Sequence, residues 1–451
     1  MHSEEKRIFF RILGFEKGFS MEERWRAPEW LYPCLIAGSG CALALRASIA
    51  RKYGAAPRLS PTFVAFQRRF FQVFLLALVA HGFQNVYVEA LYKSYGLQRK
   101  EIARLLLFGH AAAIFVGTIV AVSADSLGRK QVCLAYAVFT VIESVLKQWG
   151  HLYALCLARI FNGLASSVLP CVFETWMISE HERHGFRQEW MVETFLMMSF
   201  GGAIASLGTT AVANFFVTNL GWKLGAPSVL SAGAAVILFL FVSRSWDENW
   251  GEESQGKISK PLLLPFRDKK VVTLGLVQGV FDVSVAVFWL LWVPTIVADG
   301  REIYVGSIYA CLMASVMVGT SIAAFLSSFP LLTPERSLAL VLAIASICLL
   351  VPAYDYQEIP VLVATFCVFH ICVGIATPLL ACFRASYISS SRRAGVYAIY
   401  RVPTDLALIL FLTQGSIRQA WDNSTILYTC GLANLAAAGG VLALTNSWKK
   451  L

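Results

Sequence analysis

Asp125-Ser126-Leu127-Gly128-Arg129-Lys130 is a short charged turn set between two long apolar runs, and a turn of this kind can join two membrane helices. Read outward from that turn, 57% of the 451 residues are hydrophobic and 15% are charged. An ordinary globular chain carries roughly a quarter charged residues. Apolar runs of about 20 residues recur from residue 70 to residue 448, and each can cross a hydrocarbon core of about 30 Å as a helix. A soluble chain of this length would divide into two or three domains; this one reads as a single polytopic, all-α membrane bundle.

A short run at residues 30–45 leads twelve longer ones, the first at 70–92 and the last at 424–448. The longest polar interval inside this series, 243–270, follows the sixth long run and divides the core into six plus six. The expected organisation is a polar N-terminus with an extra hydrophobic helix and basic linker (1–65), a six-helix half (66–245), a central linker (246–270) and a second six-helix half (271–451). Loops on the Arg129 side carry 22 Lys and Arg and the opposite loops carry 8. Cytoplasmic loops are enriched in positive side chains, so the Asp125 loop, the central linker and the C-terminus are expected to face the cytoplasm. The leading run holds Pro33 within 16 residues; it reads either as a crossing that puts the N-terminus on the far side or as an interfacial helix. The sequon Asn423-Ser424-Thr425 falls on the predicted outer side, too close to a span for much glycosylation.

The formal charge of +10 is spread over short inter-helix loops, which argues for topology and against a nucleic-acid partner. Eleven cysteines, nearly all inside apolar runs, give neither CxxC metal pairs nor a secreted disulfide framework, and they read as small buried hydrophobes. The first 29 residues hold six basic and six acidic side chains around no apolar core, unlike a signal or transit peptide. No P-loop, HExxH, G-x-S-x-G or nucleotide-binding glycine turn is present, so the reading is a non-enzyme without cofactor or metal, driven by a gradient.

A charge near mid-bilayer costs several kcal/mol unless it faces a cavity or a partner. Eight ionisable residues fall within apolar runs: Glu89, Glu143, Arg159, Glu174, Glu193, Asp282, Arg401 and Asp405. Glu143 has Lys147 one turn on and reads as an interfacial pair, while Glu89 and Glu193 lie near span edges and read as wet. Asp282 lies about 16 Å into its run at 1.5 Å per residue. Gln278 and Trp289 share its helical face. His81, with Gln84 and Asn85 one turn on, lies at comparable depth in the first run. If the halves are repeats, the two stripes face each other across a central cavity; otherwise each hydrogen-bonds a neighbouring helix. Arg159 is too deep for an interfacial anchor and calls for an acidic partner or an anionic ligand. Arg401 has Asp405 at i+4, so an intrahelical pair competes with ligand contact. Asp125, Gly128, Arg129 and Lys130, with Glu174 and Glu180, are candidates for a latch at the inner gate.

The D-x-x-G-R-K loop resembles the signature between the second and third core helices of the major facilitator superfamily. Further stretches resemble the molybdate-anion transporters of that superfamily: Phe66-Gln67, Phe71-Gln72-Val73, Phe173-Glu174-Thr175-Trp176, Glu180-His181, Gln278 with Phe281-Asp282, Ala394-Gly395-Val396 and Arg401-Val402-Pro403. The short leading hydrophobic segment also looks like that family's extra N-terminal one. Departures are Ala121 where the loop usually has Gly, Asp282 in place of Glu, and His81 in place of an acidic residue.

The resemblance implies a twelve-helix facilitator, monomeric in the bilayer of the plasma membrane or an endomembrane, moving molybdate by alternating access. A tetrahedral dianion calls for positive charge and neutral donors, which Arg159, Arg401, Gln84, Asn85, Tyr87, Gln278 and Tyr400 could supply. Moving two negative charges inward against ~100 mV costs roughly 4.6 kcal/mol, so co-transported protons on Asp282 or His81 are the expected coupling. Two rivals are a facilitator for an organic anion or sugar, and a non-transporting membrane sensor or scaffold.

Overall fold

The computed structural model describes residues 25–52, 59–251, 264–297, 303–328, 333–353, 358–414 and 422–448. Residues 1–24, most of the central linker (252–263), and Arg301 and Arg418 of the loop count lie outside the described residues.

Short polar or proline-bearing starts set the helix boundaries. Ser60 accepts the Phe63 N–H at 3.1 Å ahead of Pro61, Asp268 accepts that of Lys270 at 2.8 Å, and Thr333 caps the helix opened by Pro334. The helices are α1 (Leu31–Lys52), α2 (Pro61–Asn85), the short α3 (Val88–Ser94), α4 (Arg99–Ala112), α5 (Thr118–Leu127), α6 (Arg129–Leu146), α7 (Leu152–Arg183), α8 (Gln188–Asn214) and α9 (Ala226–Ser245). The second half comprises α10 (Lys269–Ile296), α11 (Val305–Ser328), α12 (Pro334–Leu350), α13 (Ile359–Tyr387), α14 (Arg393–Gln414) and α15 (Asn423–Trp448). One π turn at Ala113–Gly117 joins α4 and α5 into a single span.

Among the described residues, 12 helical stretches are long and apolar enough to cross a membrane. They include α1 and leave out α6, whose 18 residues carry Arg129, Lys130 and Glu143. Helix α6 nonetheless packs on α7 and α9 as a full member of the core, and its three charges are buried or tied to neighbours. The core therefore has the twelve helices expected, in two sets of six, with α1 outside them. This is an integral multi-pass membrane protein.

Helix α1 is 22 residues long and runs parallel to α11. Trp25 bridges to Ile303 at one end, Ser39 meets Ser321 at 2.8 Å midway, and Arg46 reaches Ser328 at 2.8 Å at the other. That pairing runs along α11 from end to end, so α1 follows the direction of a core span on the outside of the bundle, as a crossing segment would.

Glycine permits the closest crossings in both halves. A Cβ on Gly163 of α7 would sit 2.2 Å from the Gly109 carbonyl of α4, and one on Gly374 of α13 would sit 2.2 Å from the Val316 carbonyl of α11. The two crossings join the second and fourth core spans of each half, so the repeat is visible in its backbone contacts. Without a hydrophobic drive between helices in lipid, such close approach is a main source of association. Gly374→Val and Gly163→Val are expected to lower the melting temperature in detergent by several degrees or abolish folding, since overpacking costs about 1–3 kcal/mol or more. Gly233→Val, which has open space around it, should melt like the parent; an unchanged Gly374→Val would refute the crossing.

Candidate functional site

Residues of both halves line a cavity of about 230 Å³, and its polar lining comes from α7 (Glu174), α8 (Ser199), α10 (Gln278, Asp282), α13 (Thr377, Arg384) and α14 (Tyr397, Arg401). Asp282 lies midway along the 28-residue α10, at the depth its run predicts. Pro170 and Pro378, inside α7 and α13, also line this space; each withholds one backbone N–H from its helix.

Arg384 organises the lining. Its guanidinium grips Glu174 in a forked ion pair, with contacts of 2.7 and 2.9 Å, and donates to Gln278 Oε1 at 3.1 Å. The Tyr397 ring lies 5.0 Å beneath it. Gln278 turns its amide nitrogen toward Asp282 Oδ2 at 3.2 Å. A charged chain thus runs Glu174–Arg384–Gln278–Asp282 from one half into the other. Arg401 has no hydrogen-bond or ion-pair partner among the described residues. The i+4 pair expected with Asp405 does not form, because Asp405 turns instead to His110 Nδ1 of α4 at 2.9 Å.

The Asp125 end of the cavity is closed by contacts between halves. Buried Arg129 binds Asp125 Oδ1 at 2.7 Å, Ser179 of its own half, and the Ser390 carbonyl of the other half at 2.7 Å. Asp125 Oδ2 accepts the Gly395 N–H at 3.1 Å, so a carboxylate of one half caps the N-terminus of α14 in the other. Glu182 and Arg393 add a forked pair at 2.9 and 3.1 Å. Gly128 has φ +118°, and a Cβ there would fall 2.5 Å from the Glu248 carboxyl, which caps α6 through the N–H groups of Lys130 (2.8 Å) and Gln131 (3.2 Å). The turn therefore needs glycine on both counts.

Several expected residues fall elsewhere. Glu174 belongs to the cavity rather than to the end latch. Glu180 accepts from Asn249 at 3.1 Å, and Lys130 donates to the Ser243 carbonyl at 3.2 Å; neither reaches the second half. His81 and Asn85 hydrogen-bond each other (3.1 Å) and line, with Tyr87, a separate cleft of about 590 Å³ at the opposite end. Tyr87, at φ 61°, bonds Asn214. His81 thus lines a different cleft from Asp282, though one within electrostatic reach of Arg401, and Trp289 packs on Tyr309 and His370. Tyr400 is buried against Gly275 and donates to the Val271 carbonyl.

Gln84 and Arg159 lie in a buried network within the first half. Glu143 and Lys147 do pair, but both are fully buried rather than interfacial; Lys147 donates to Gln84 Oε1 at 2.7 Å, and Asn162 links Glu143 to Arg159 at 3.0 and 3.3 Å. Arg159 finds neither acid nor cavity; it stacks over Tyr92 at 5.3 Å and leaves its Nε unpartnered. Glu89 is exposed beside Lys93, as expected, whereas Glu193 is mostly covered by Arg46 of α1. Arg384, Tyr397, Glu182 and Arg393 were not anticipated as site or gate residues.

Cys171 lines the cavity and is buried, which makes it a reporter of the latch. In a background with the other cysteines replaced by serine, Arg393→Glu or Glu182→Arg should raise its labelling by a charged thiol reagent applied from the Asp125 side several-fold. The double swap should restore protection. Equal labelling in all three would show that this pair does not hold the end closed.

A family model described as sugar transporters with 12 TM matches residues 36–375. The molybdate-anion transporter of Xenopus tropicalis is 28% identical over 355 residues, covering 77% of this chain and 78% of its own. The crystal structure of the human organic anion transporter MFSD10 superposes with TM-score 0.68 at 13% identity, over 85% of this chain and 100% of that one. A bacterial homologue of the iron transporter ferroportin in an outward-facing state gives 0.70 at 13% identity, over 84% and 99%. The likeness to solved structures is one of fold, and the family match spans most of the sequence. The chain belongs to this twelve-span transporter family of the major facilitator superfamily.

Proposed function

We propose that the protein is a secondary active transporter of a small tetrahedral oxyanion, molybdate or one of its size and charge, working by alternating access between its two halves. The observation that carries this reading is Arg401: a guanidinium inside a membrane cavity with no counter-charge in contact, while its neighbour Arg384 is already neutralised by Glu174. A cation with no counter-charge in direct contact in such surroundings favours an anion, and a guanidinium fork matches an oxyanion's paired oxygens. The size of the cavity, about 230 Å³, supports a small ion; pockets for drug-sized organic ligands run to roughly 300–1,000 Å³. The naming of the relatives as molybdate-anion transporters points the same way.

Asp282 is assigned the coupling role. With Glu174 and Arg384 cancelling, Asp282 ionised would oppose a dianion at Arg401, and Asp282 protonated would leave the cavity one positive charge to offer. Proton uptake at Asp282 then favours anion binding, and the pair moves together. Each proton carried offsets about 2.3 kcal/mol of the electrical cost per 100 mV. In this cycle the latch of Asp125, Arg129, Glu182 and Arg393 holds the cytoplasmic end shut while substrate enters from the other, and it parts on the return stroke. The excess of positive loop residues on the Asp125 side supports the cytoplasmic placement of that end.

Purified protein in liposomes tests both roles. Labelled molybdate uptake should rise as the outside is made more acidic, and Arg401→Gln should raise the half-saturating concentration at least about tenfold, the value of one charged hydrogen bond or more. Asp282→Asn, a mimic of the protonated state, should keep binding but lose the response to a pH gradient. Uptake by the parent that ignores the gradient sinks the proton coupling; uptake blocked by organic acids and untouched by tungstate sinks the oxyanion.

A further inference from the structure

On the Asp125 side of the first half, α2 and α9 flank a groove of about 420 Å³ that belongs neither to the cavity nor to the latch. Arg69 and Gln72 line it from α2, one turn apart on one face, and Phe241, Arg244 and Ser245 line it from α9. Arg69, Gln72 and Arg244 are exposed and have no hydrogen-bond or ion-pair partner among the described residues. Ser245 spends its hydroxyl proton on the Phe241 carbonyl at 2.6 Å. Of the two carboxylates that follow Arg244, Glu248 is committed to the backbone of Lys130 and Gln131, at 2.8 and 3.2 Å, and exposed Asp247 forms no ion pair among the described residues. Lys130 donates to the carbonyl of Ser243, one residue before Arg244, at 3.2 Å.

The groove sits at the end of the membrane-crossing stretch Ala226–Ser245, where head groups meet hydrocarbon. Away from the arginines, α9 presents Ile237, Leu240 and Phe241 outward, 45–47% exposed. Two unpaired guanidiniums and an amide at the end of a lipid-facing apolar strip form an amphipathic site with positive charge at the headgroup level. We propose that this groove binds the phosphate headgroup of an anionic membrane lipid, whose acyl chain lies along the outer face of α9. Basic pockets between membrane helices hold anionic headgroups by the same physics. A free inorganic phosphate would satisfy the arginines but would leave the apolar strip unused, which favours the lipid.

Native mass spectrometry of the full chain, released from vesicles of phosphatidylcholine with and without phosphatidylserine or a phosphoinositide, reads the site directly. The parent should retain one anionic lipid in preference to phosphatidylcholine. The double variant Arg69→Gln with Arg244→Gln should bind it roughly thirtyfold more weakly, which is about 2 kcal/mol for two basic groups at 1.4 kcal/mol per factor of ten. Both positions are exposed and lie outside the cavity, so an unchanged melting temperature certifies the fold of the variant. Arg99→Gln with Arg104→Gln, at the other end of the bundle, should leave lipid retention intact. Retention equal in parent and double variant overturns the site; loss in the Arg99 and Arg104 variant as well shows general surface charge and overturns it too. Displacement of the lipid by inorganic phosphate at matched concentration would reassign the groove to a free anion and overturn the lipid.

Discussion

A charge surrounded by hydrocarbon must be matched by an opposite charge or by water, and this requirement arranges the interior of the protein. Glu143 has Lys147, Glu174 has Arg384 and Asp125 has Arg129, while Asp405 is hydrogen-bonded to His110. Each pair is partly or wholly buried, so removing one member would strand the other in a medium of low polarity, at a cost of about 3–5 kcal/mol for a fully buried pair. Against this background the Arg401 guanidinium and the Asp282 carboxylate form no ion pair and share one cavity, whereas Arg159, also without an acid, is packed against Tyr92 and Asn162. The site is defined by unpaired charges that open onto a cavity.

The same pairs differ in what they join. Glu143 and Lys147 lie within a single helix and tie α2, α6 and α7 into a rigid half. Glu174–Arg384, Asp125–Gly395, Glu182–Arg393 and His110–Asp405 cross between halves. Rigid halves joined by breakable polar contacts are what rigid-body rocking requires. The glycine crossings contribute the rigidity, because backbones in contact leave no soft layer of side chains between the second and fourth spans of each half.

The architecture was legible in the sequence because its causes are local. Span length, the polar interval at the centre, and the turn around Gly128 each follow from residues close together in the chain. Asp282 was legible for the same reason, since its depth can be counted along one helix. Arg384 was missed because the apolar run stops at Phe383, which assigns the arginine to a loop; α13 continues to Tyr387, and the helix carries the charge inward onto Glu174. Arg159 misled in the opposite sense. Its depth suggests a ligand, but the groups that receive it are Asn162, three residues on, and Tyr92, on a different helix. The face that a helix turns toward a neighbour depends on contacts hundreds of residues apart, such as Asp405 with His110, and no periodicity encodes them.

Helix α1 stands outside the twelve-span core yet touches both sets. Arg46 pairs with Glu193 of α8 in the first and hydrogen-bonds Ser328 of α11 in the second, while Ser39 holds α11 further along. A guanidinium fastened to both sides of a seam acts as a tether: the two helices cannot separate at that end without stretching it. The opposite seam, between α4 or α5 and α14, is joined directly by the halves' own residues, His110 with Asp405 and Asp125 with Gly395. The α8–α11 seam is therefore braced from outside by a helix that belongs to neither set, whereas the opposite seam is held by the two sets themselves.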